Sequence, residues 1–330
     1  MPSAQYLLDN PYQNFLMVKT NMPNKPMKHV LSVKQFTDKA LLYKLFKRAS
    51  ELEDMPPADY PKPLRYLTLA TIFFEPSTRT RLSFETAIQN LGGQLVTVEN
   101  AGEFSSAKKG ESLEDTIKTL NAYVDGIIMR HPDIGSAKRA AAVSRVPIIN
   151  GGDGGGDHPT QALYDVYSIQ KDKGRIDGLK IAIVGDLLHS RALRSVLELL
   201  ANFNVEFFLI SPPALKLSKD QIKYFQDRKI KIEEMDSWQS VIADLDVIYI
   251  NRIQKERFKL EEEYQLLKNS YILTPESVKQ MKKDAIILDP LPRVNEIAIE
   301  VDNDPRARYF EQVKNGLYVR MALLELIFSN

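Results

Sequence analysis

Apolar and polar positions along this chain follow two alternating patterns. Short, nearly continuous apolar runs of β-type residues lie at 67–74, 94–98, 126–129 and 146–150. Helical spacing of apolar residues separates them at 81–91, 112–123 and 136–143. A second series of runs follows at 180–184, 205–210, 247–250 and 285–288, with helical patterns near 191–201, 219–226, 238–243 and 275–281. Strands without a polar face are buried on both sides, so their alternation with helices predicts parallel sheets covered on both faces. Pro147 opens the fourth run, where a strand tolerates proline. Thr274-Pro275 reads as a helix start, an N-cap followed by proline at the first helical position.

The two series predict two α/β domains. The helical pattern at 159–171 would bridge them, and 309–328 reads as one long helix. Residues 1–30 carry four prolines and no clear periodicity, which predicts an extension or arm. The expected boundaries are therefore 1–30 for the extension, 31–158 with the helix 309–330 for one domain, and 159–308 for the other.

A length of 330 residues fits two cores. No apolar run approaches the roughly 20 residues that cross a bilayer, and the first residues lack the form of a secretory signal. The chain has no cysteine, which excludes disulfides, thiolate-zinc sites and a cysteine nucleophile. A cytoplasmic setting is the default expectation. Net charge is +1, from 44 basic and 43 acidic residues, so a nucleic-acid or membrane surface is not expected. Affinity for anions has to come from a local cluster.

Such a cluster is visible at Phe74-Glu75-Pro76-Ser77-Thr78-Arg79-Thr80-Arg81, between an apolar strand and an amphipathic helix. A helix N-terminus presents free N–H groups and partial positive charge. The Ser77, Thr78 and Thr80 hydroxyls add donors and Arg79 adds a planar cation, which together make a phosphate cradle without a Walker lysine. The plainer alternative is a Ser/Thr cap with two solvated arginines. The glycine-rich segment 151–156 reads as a flexible connection or as tight turns near a ligand.

The Ser77–Arg81 string resembles the carbamoyl phosphate motif of the transcarbamoylase family. Met129-Arg130-His131-Pro132 and His158-Pro159-Thr160-Gln161 resemble two further family segments, in the same order. The similarity runs over about residues 35–330. Within the family, Arg252-Ile253-Gln254-Lys255-Glu256-Arg257, Pro290-Leu291-Pro292-Arg293 and the lysine loop 105–111 resemble the aspartate-specific branch. Asp289 stands where that branch often has histidine. The ornithine branch carries a cysteine segment near its end that this chain lacks.

The resemblance implies two doubly wound parallel-sheet domains joined by helices, one for carbamoyl phosphate and one for aspartate. It implies carbamoyl transfer to L-aspartate, an early step of de novo pyrimidine biosynthesis, with no cofactor and no metal. Ser77, Thr78, Arg79 and Thr80 would hold the phosphate. Arg130 would reach between phosphate and carbonyl oxygen. His158 and Thr80 would donate to that oxygen. Gln161 and the carbonyls of Leu291 and Pro292 would accept from the carbamoyl NH2, with a cis bond at Leu291-Pro292. Arg191 would bind the α-carboxylate, and Arg252 and Gln254 the β-carboxylate; two carboxylates call for such forks and amides. Lys109 and Ser105 would come from a neighbouring chain of a homotrimer, and further assembly with regulatory chains stays open. The charged segment 255–271 would be a loop that closes on aspartate.

His131 and His189 are read as structural or solvated, and Arg81, Arg194 and Arg257 as packing or ion-pair residues. Glu75 would orient an arginine such as Arg130. Arg293 stays open between substrate neighbour and ion pair, and Lys108 is read as a surface lysine. Three rival readings remain: a nucleotide oxidoreductase suggested by Val184-Gly185-Asp186, though no G-x-G-x-x-G follows; a non-catalytic homologue; and a transcarbamoylase with another acceptor.

Overall fold

A computed structural model describes residues 28–329. In the first half, α1 (Lys39–Asp54) precedes β1 (Thr68–Phe73), α2 (Thr78–Asn90), β2 (Gln94–Glu99) and the short α3 (Ala101–Phe104). Then come α4 (Leu113–Leu120), β3 (Gly126–His131), α5 (Ser136–Val143) and β4 (Ile148–Asp153). Helix α6 (Pro159–Lys173) leads into the second half: β5 (Lys180–Gly185), α7 (Arg191–Leu200), β6 (Glu206–Ile210), α8 (Lys219–Asp227) and β7 (Lys231–Met235). The chain ends with β8 (Val247–Asn251), α9 (Glu261–Leu267), α10 (Pro275–Gln280), β9 (Ile286–Leu288) and α11 (Tyr309–Phe328).

The strands form two sheets, ordered β2-β1-β3-β4 and β7-β6-β5-β8-β9. Every pairing is parallel. Chain order reverses between β1 and β3 in the first sheet and between β5 and β8 in the second. In open α/β sheets the crevice outside the strand C-termini at such a reversal is where ligands bind. This fold therefore has two such crevices.

Alternation along each strand builds three apolar layers. Leu69 and Phe73 of β1 and Ile181 and Ile183 of β5 enter one central core, which also takes in α1, α6, α7 and α11. Ala182 and Val184 face a second cluster on the far side of the second sheet. Ala70 and Ile72 face a third on the far side of the first. The two halves thus share a continuous core, and α11 packs on α1, α2 and α6.

Several expectations change. Val30 belongs to the sheet margin, since its N–H donates to the Ile148 carbonyl and its own carbonyl accepts from Asn150 N–H, both at 2.8 Å. Residues 1–27 of the expected extension lie outside the described residues. Helix α1 was not expected, although its buried Leu42, Leu45, Phe46, Ala49 and Leu52 keep helical spacing. Strand β7 was also not expected. It is a sheet edge of sequence Lys-Ile-Glu-Glu-Met with mostly exposed side chains. The helix expected at 238–243 is replaced by a 3-10 turn at Ile242–Asp244. Segment 255–271 is not one loop but a 3-10 turn, Lys255–Arg257, followed by α9. The glycine-rich segment is not a flexible connection. Gly151 and Gly152 lie in the buried β4, and a Cβ on Gly154 (φ +53°) would sit 2.0 Å from the Pro132 carbonyl oxygen.

Candidate active site

The crevice of the first sheet is built from β1, β3 and the start of α2 and α6. Ser77 occupies the N-cap of α2 in extended conformation, and its hydroxyl makes no capping bond. Thr78 opens the helix exposed, Arg79 is half-buried and Thr80 is buried. Arg130, one residue before the end of β3, is 9% exposed. Its Nε donates to the Gly151 carbonyl at 2.9 Å, and its NH2 donates to Thr80 Oγ1 at 3.3 Å. The same NH2 lies 3.0 Å from His158 Nε2, which is 3.4 Å from Thr80 Oγ1. A guanidinium has no acceptor, so His158 Nε2 accepts here and the imidazole proton sits on Nδ1. Nδ1 is buried without a partner among the described residues.

His158 stands at the N-cap of α6, before Pro159 at the first helical position. Its backbone N–H donates to Ser195 Oγ of α7 at 3.0 Å, and Ser195 donates to Asp157 at 2.7 Å. Burial, then the nearby Arg130 and Arg191, hold the His158 imidazole well below the usual histidine range, so it is neutral. Burial and neighbouring arginines also push Arg130 down, to about 9.

The crevice of the second sheet supplies two more cations. Ser190 caps α7 by accepting from Leu193 N–H, which makes Arg191 the first helical residue. Burial lowers the Arg191 pKa, with Glu75 opposing. A Cβ on Gly152 (φ +119°) would stand 3.2 Å from Arg130 Nε and 3.3 Å from Arg191 Cζ. Glycine there lets the guanidinia of the two crevices meet. Arg191 NH1 donates to the Gly154 carbonyl and, at 3.5 Å, to Glu75. Glu75 thus orients Arg191, not Arg130. Arg252 follows β8 and is held by Glu256, with NH1 to Oε2 at 3.0 Å. Gln254, half-buried, caps the next turn with its backbone. Arg79 is lowered by burial, with Tyr164 and Asp289 opposing and Arg252 adding repulsion.

Leu291-Pro292 is cis, with Leu291 at φ 54°. Asp289 Oδ1 accepts from Leu291 N–H and steadies this turn. Gln161 is buried on α6, and its Nε2 donates to Asp165 at 2.9 Å.

Ser105 and Lys109 do not join the cluster. Ser105 donates to the Ala101 carbonyl and accepts from Ala107 N–H, and Lys109 is exposed on a 3-10 turn. Arg81 pairs with Glu85 and Glu99, Arg194 donates to the Gly155 carbonyl, and Arg293 pairs with Asp302. His131 accepts from Asp133 N–H, and His189 faces Asp186. Among the described residues no group of three or more His, Asp or Glu is placed to hold a metal ion.

Residues 28–171 match the family profile "Aspartate/ornithine carbamoyltransferase, carbamoyl-P binding domain", and residues 177–327 match its "Asp/Orn binding domain". The chain belongs to the aspartate/ornithine carbamoyltransferase family. An aspartate carbamoyltransferase catalytic subunit of Alkaliphilus oremlandii is 48% identical over 92% of this chain and 91% of its own length. The multifunctional protein pyr1-3 of Dictyostelium discoideum is 47% identical over 92% of this chain, which spans only 14% of that protein. The aspartate transcarbamoylase catalytic subunit of M. jannaschii superimposes with a TM-score of 0.85 at 45% identity, covering 92% of this chain and 99% of that one. The Trypanosoma cruzi enzyme in complex with carbamoyl phosphate and aspartate gives 0.86 at 35% identity, covering 91% and 97%.

Some supporting residues of this carbamoyltransferase site were not expected from sequence. Ser195 and Asp165 carry a signal only after the fact, as polar residues on otherwise apolar helix faces. Glu256 lies four residues after Arg252, a spacing that reads equally as a surface pair.

Proposed function

We propose that this chain transfers the carbamoyl group of carbamoyl phosphate to the amino group of L-aspartate, giving N-carbamoyl-L-aspartate and phosphate, an early step of de novo pyrimidine biosynthesis. One observation carries the reading. Arg130 is nine-tenths buried, and its hydrogen bonds go only to neutral partners, while Arg79 and Arg191 stand close enough to lower its pKa. A buried cation whose hydrogen bonds reach no anion is costly, and Glu75, the one carboxylate that opposes the shift, is bonded to Arg191. Bound substrate would supply the missing charge, and two anions would suit cations drawn from two crevices.

Ser77, Thr78, Arg79 and Thr80 take the phosphate at the N-terminus of α2. Arg130 bridges phosphate and carbonyl oxygen. Arg191 takes the α-carboxylate, and Arg252 and Gln254 the β-carboxylate. The uncharged aspartate amine attacks the carbamoyl carbon, and charge gathers on the carbonyl oxygen. Thr80, Arg130 and His158 stabilise it; loss of one such donor costs ~3 kcal/mol in barrier. The C–O bond to phosphate then breaks, and the amine proton leaves with phosphate. As Arg130 turns to its ligand, His158 Nε2 gives up its acceptor role and the neutral ring changes tautomer, carrying its one proton on Nε2 instead of Nδ1, which lets Nε2 donate. Neutral imidazole suits that task, because a positioned donor needs no net charge. Gln161 and the Leu291 and Pro292 carbonyls accept from the carbamoyl NH2.

Residues 31–158 with the helix 309–330 form the carbamoyl phosphate half in this reading, and 159–308 the aspartate half; the packing of α11 on α1 and α2 supports that division. Lys109 and Ser105 complete the site of a neighbouring chain in a homotrimer, which suits their exposed turn outside the cluster. A cytoplasmic setting belongs to the same reading, since a chain without cysteine gains nothing from an oxidising compartment. No helix among the described residues is long and apolar enough to cross a membrane.

Binding of N-(phosphonacetyl)-L-aspartate, which joins both anions in one molecule, tests the reading. One molecule should bind per chain, displaced by inorganic phosphate and, separately, by L-aspartate. Binding indifferent to aspartate would overturn the acceptor half.

A further inference from the structure

Beneath Gln161 lies a buried polar cluster that none of the substrate contacts uses. Asp165 sits one helical turn further along α6 and is completely buried. Its Oδ1 accepts from Gln161 Nε2 at 2.9 Å and from Gln312 Nε2 of α11 at 2.6 Å. Its Oδ2 accepts from the Tyr249 hydroxyl of β8 at 2.7 Å. Gln312 in turn accepts, through Oε1, from the Asp289 N–H at 3.0 Å. One carboxylate thereby joins the start of the bridging helix, the second sheet, the C-terminal helix and the 289–292 turn.

The chemistry of the partners sets a direction. An ionised carboxylate only accepts, so both amides must turn their NH2 ends toward it. Gln161 is left with Oε1 as its free end, and Gln312 is left with Oε1 for the Asp289 N–H. We infer that Asp165 is a positioning residue for the carbamoyl group: it fixes the amide of Gln161 as an acceptor and, through Gln312, sets the turn that carries the Leu291 and Pro292 carbonyls. Three acceptors then converge on the carbamoyl NH2, and the site selects a ligand bearing an amide over bare phosphate. This inference rests on the carbamoyl transfer reading.

Tyr249, Gln161 and Gln312 donate to Asp165, while Tyr164 of α6 and Arg320 of α11 face it as the other titratable and charged neighbours. Burial pushes the Asp165 carboxyl up to about 7, against the pull of those donors. Protonation lets the carboxyl donate, and the direction of the amides is then no longer imposed. Carbamoyl phosphate affinity should therefore fall as pH drops through that region.

The experiment compares wild type, Asp165→Leu and Tyr249→Phe by steady-state kinetics, with inorganic phosphate as competitive inhibitor. Wild-type turnover first establishes the underlying reading, independently of the variants. Leucine has the branched shape of aspartate and no acceptor, whereas asparagine could still accept both amides through one oxygen. In Asp165→Leu the KM for carbamoyl phosphate should rise about ten-fold or more, the size expected when Gln161 is free to turn its amide and a ligand hydrogen bond is lost. The phosphate inhibition constant should stay within about two-fold, because the phosphate cradle is untouched. Tyr249→Phe removes one donor to the carboxylate, so the acidic limb of kcat/KM should move to higher pH. A parallel loss of phosphate and carbamoyl phosphate affinity would show a merely structural role and overturn the inference. So would an Asp165→Leu enzyme with wild-type KM. Should Asp165→Leu fail to fold, the direction of the Tyr249→Phe shift decides alone, and an unmoved limb overturns the proposal.

Discussion

Arg130 is held in place by neutral atoms: the Gly151 carbonyl, the Thr80 hydroxyl and the His158 ring. Carboxylate neighbours would have made it a structural ion pair; their absence from its hydrogen bonds leaves its charge for a ligand. Burial that leaves Arg130 charged drives His158 the other way, to neutrality. The unfolded chain then binds a proton more readily than the folded one below the ordinary histidine value of 6.5. Stability must fall as pH falls through that value. At about pH 5.5 this single group should cost about 1.4 kcal/mol. Denaturant titrations at neutral pH and at the lower pH check it: His158→Gln should lose that part of the slope, and an identical slope in both proteins would contradict it. The residues proposed to hold the ligands were legible in the sequence because helix starts, arginines and hydroxyls lie together in short strings. Asp165 and Ser195 were not, since their partners come from elements far away in the chain. Glu75 reads in the sequence as orienting an arginine such as Arg130; in the fold that arginine is Arg191, whose NH1 reaches both Glu75 and the carbonyl of Gly154, just after β4.

Among elements, the segment after β8 is where the site meets its own surroundings. Glu256, four residues beyond Arg252 in the turn that leads toward α9, occupies the guanidinium that would take the aspartate β-carboxylate. The Arg252 hydrogen bond lowers the Glu256 pKa, so the pair is charged at neutral pH. If Arg252 takes the β-carboxylate as proposed, aspartate has to displace it. Glu256→Gln should lower the KM for aspartate about two- to five-fold, the equivalent of an ion pair worth ~0.5–1 kcal/mol. A raised KM would mean instead that Glu256 holds Arg252 in its binding position. Strands buried on both faces, such as β5 and β8, were legible as apolar runs. Strand β7 was not, because an edge strand with Lys231, Glu233 and Glu234 outward has no run to read. The run from Trp238 to Ala243 has helical spacing, but only the turn at Ile242–Asp244 forms. Helix α1 had the spacing as well, and lay unread beside a proline-rich start.

At the scale of the molecule, a shared core under α6 and α11 sets the two crevices against each other, and the cations of both point to one place. Sheet order, which decides where those crevices open, is not written in any local pattern; only the alternation of strand and helix is. The proposed shared site makes a further prediction. Arg130→Ala and Lys109→Gln chains should each be inactive alone. Dissociated and reassembled together, they should regain turnover, because mixed trimers contain a site with Arg130 from one chain and Lys109 from its neighbour. No recovery would place Lys109 outside the site. The most direct test of the whole account is turnover of carbamoyl phosphate with L-aspartate and, in parallel, with L-ornithine. The account predicts N-carbamoyl-L-aspartate and phosphate in equal amounts from the first and nothing above background from the second. Turnover with ornithine, or with neither in a folded protein, would contradict it.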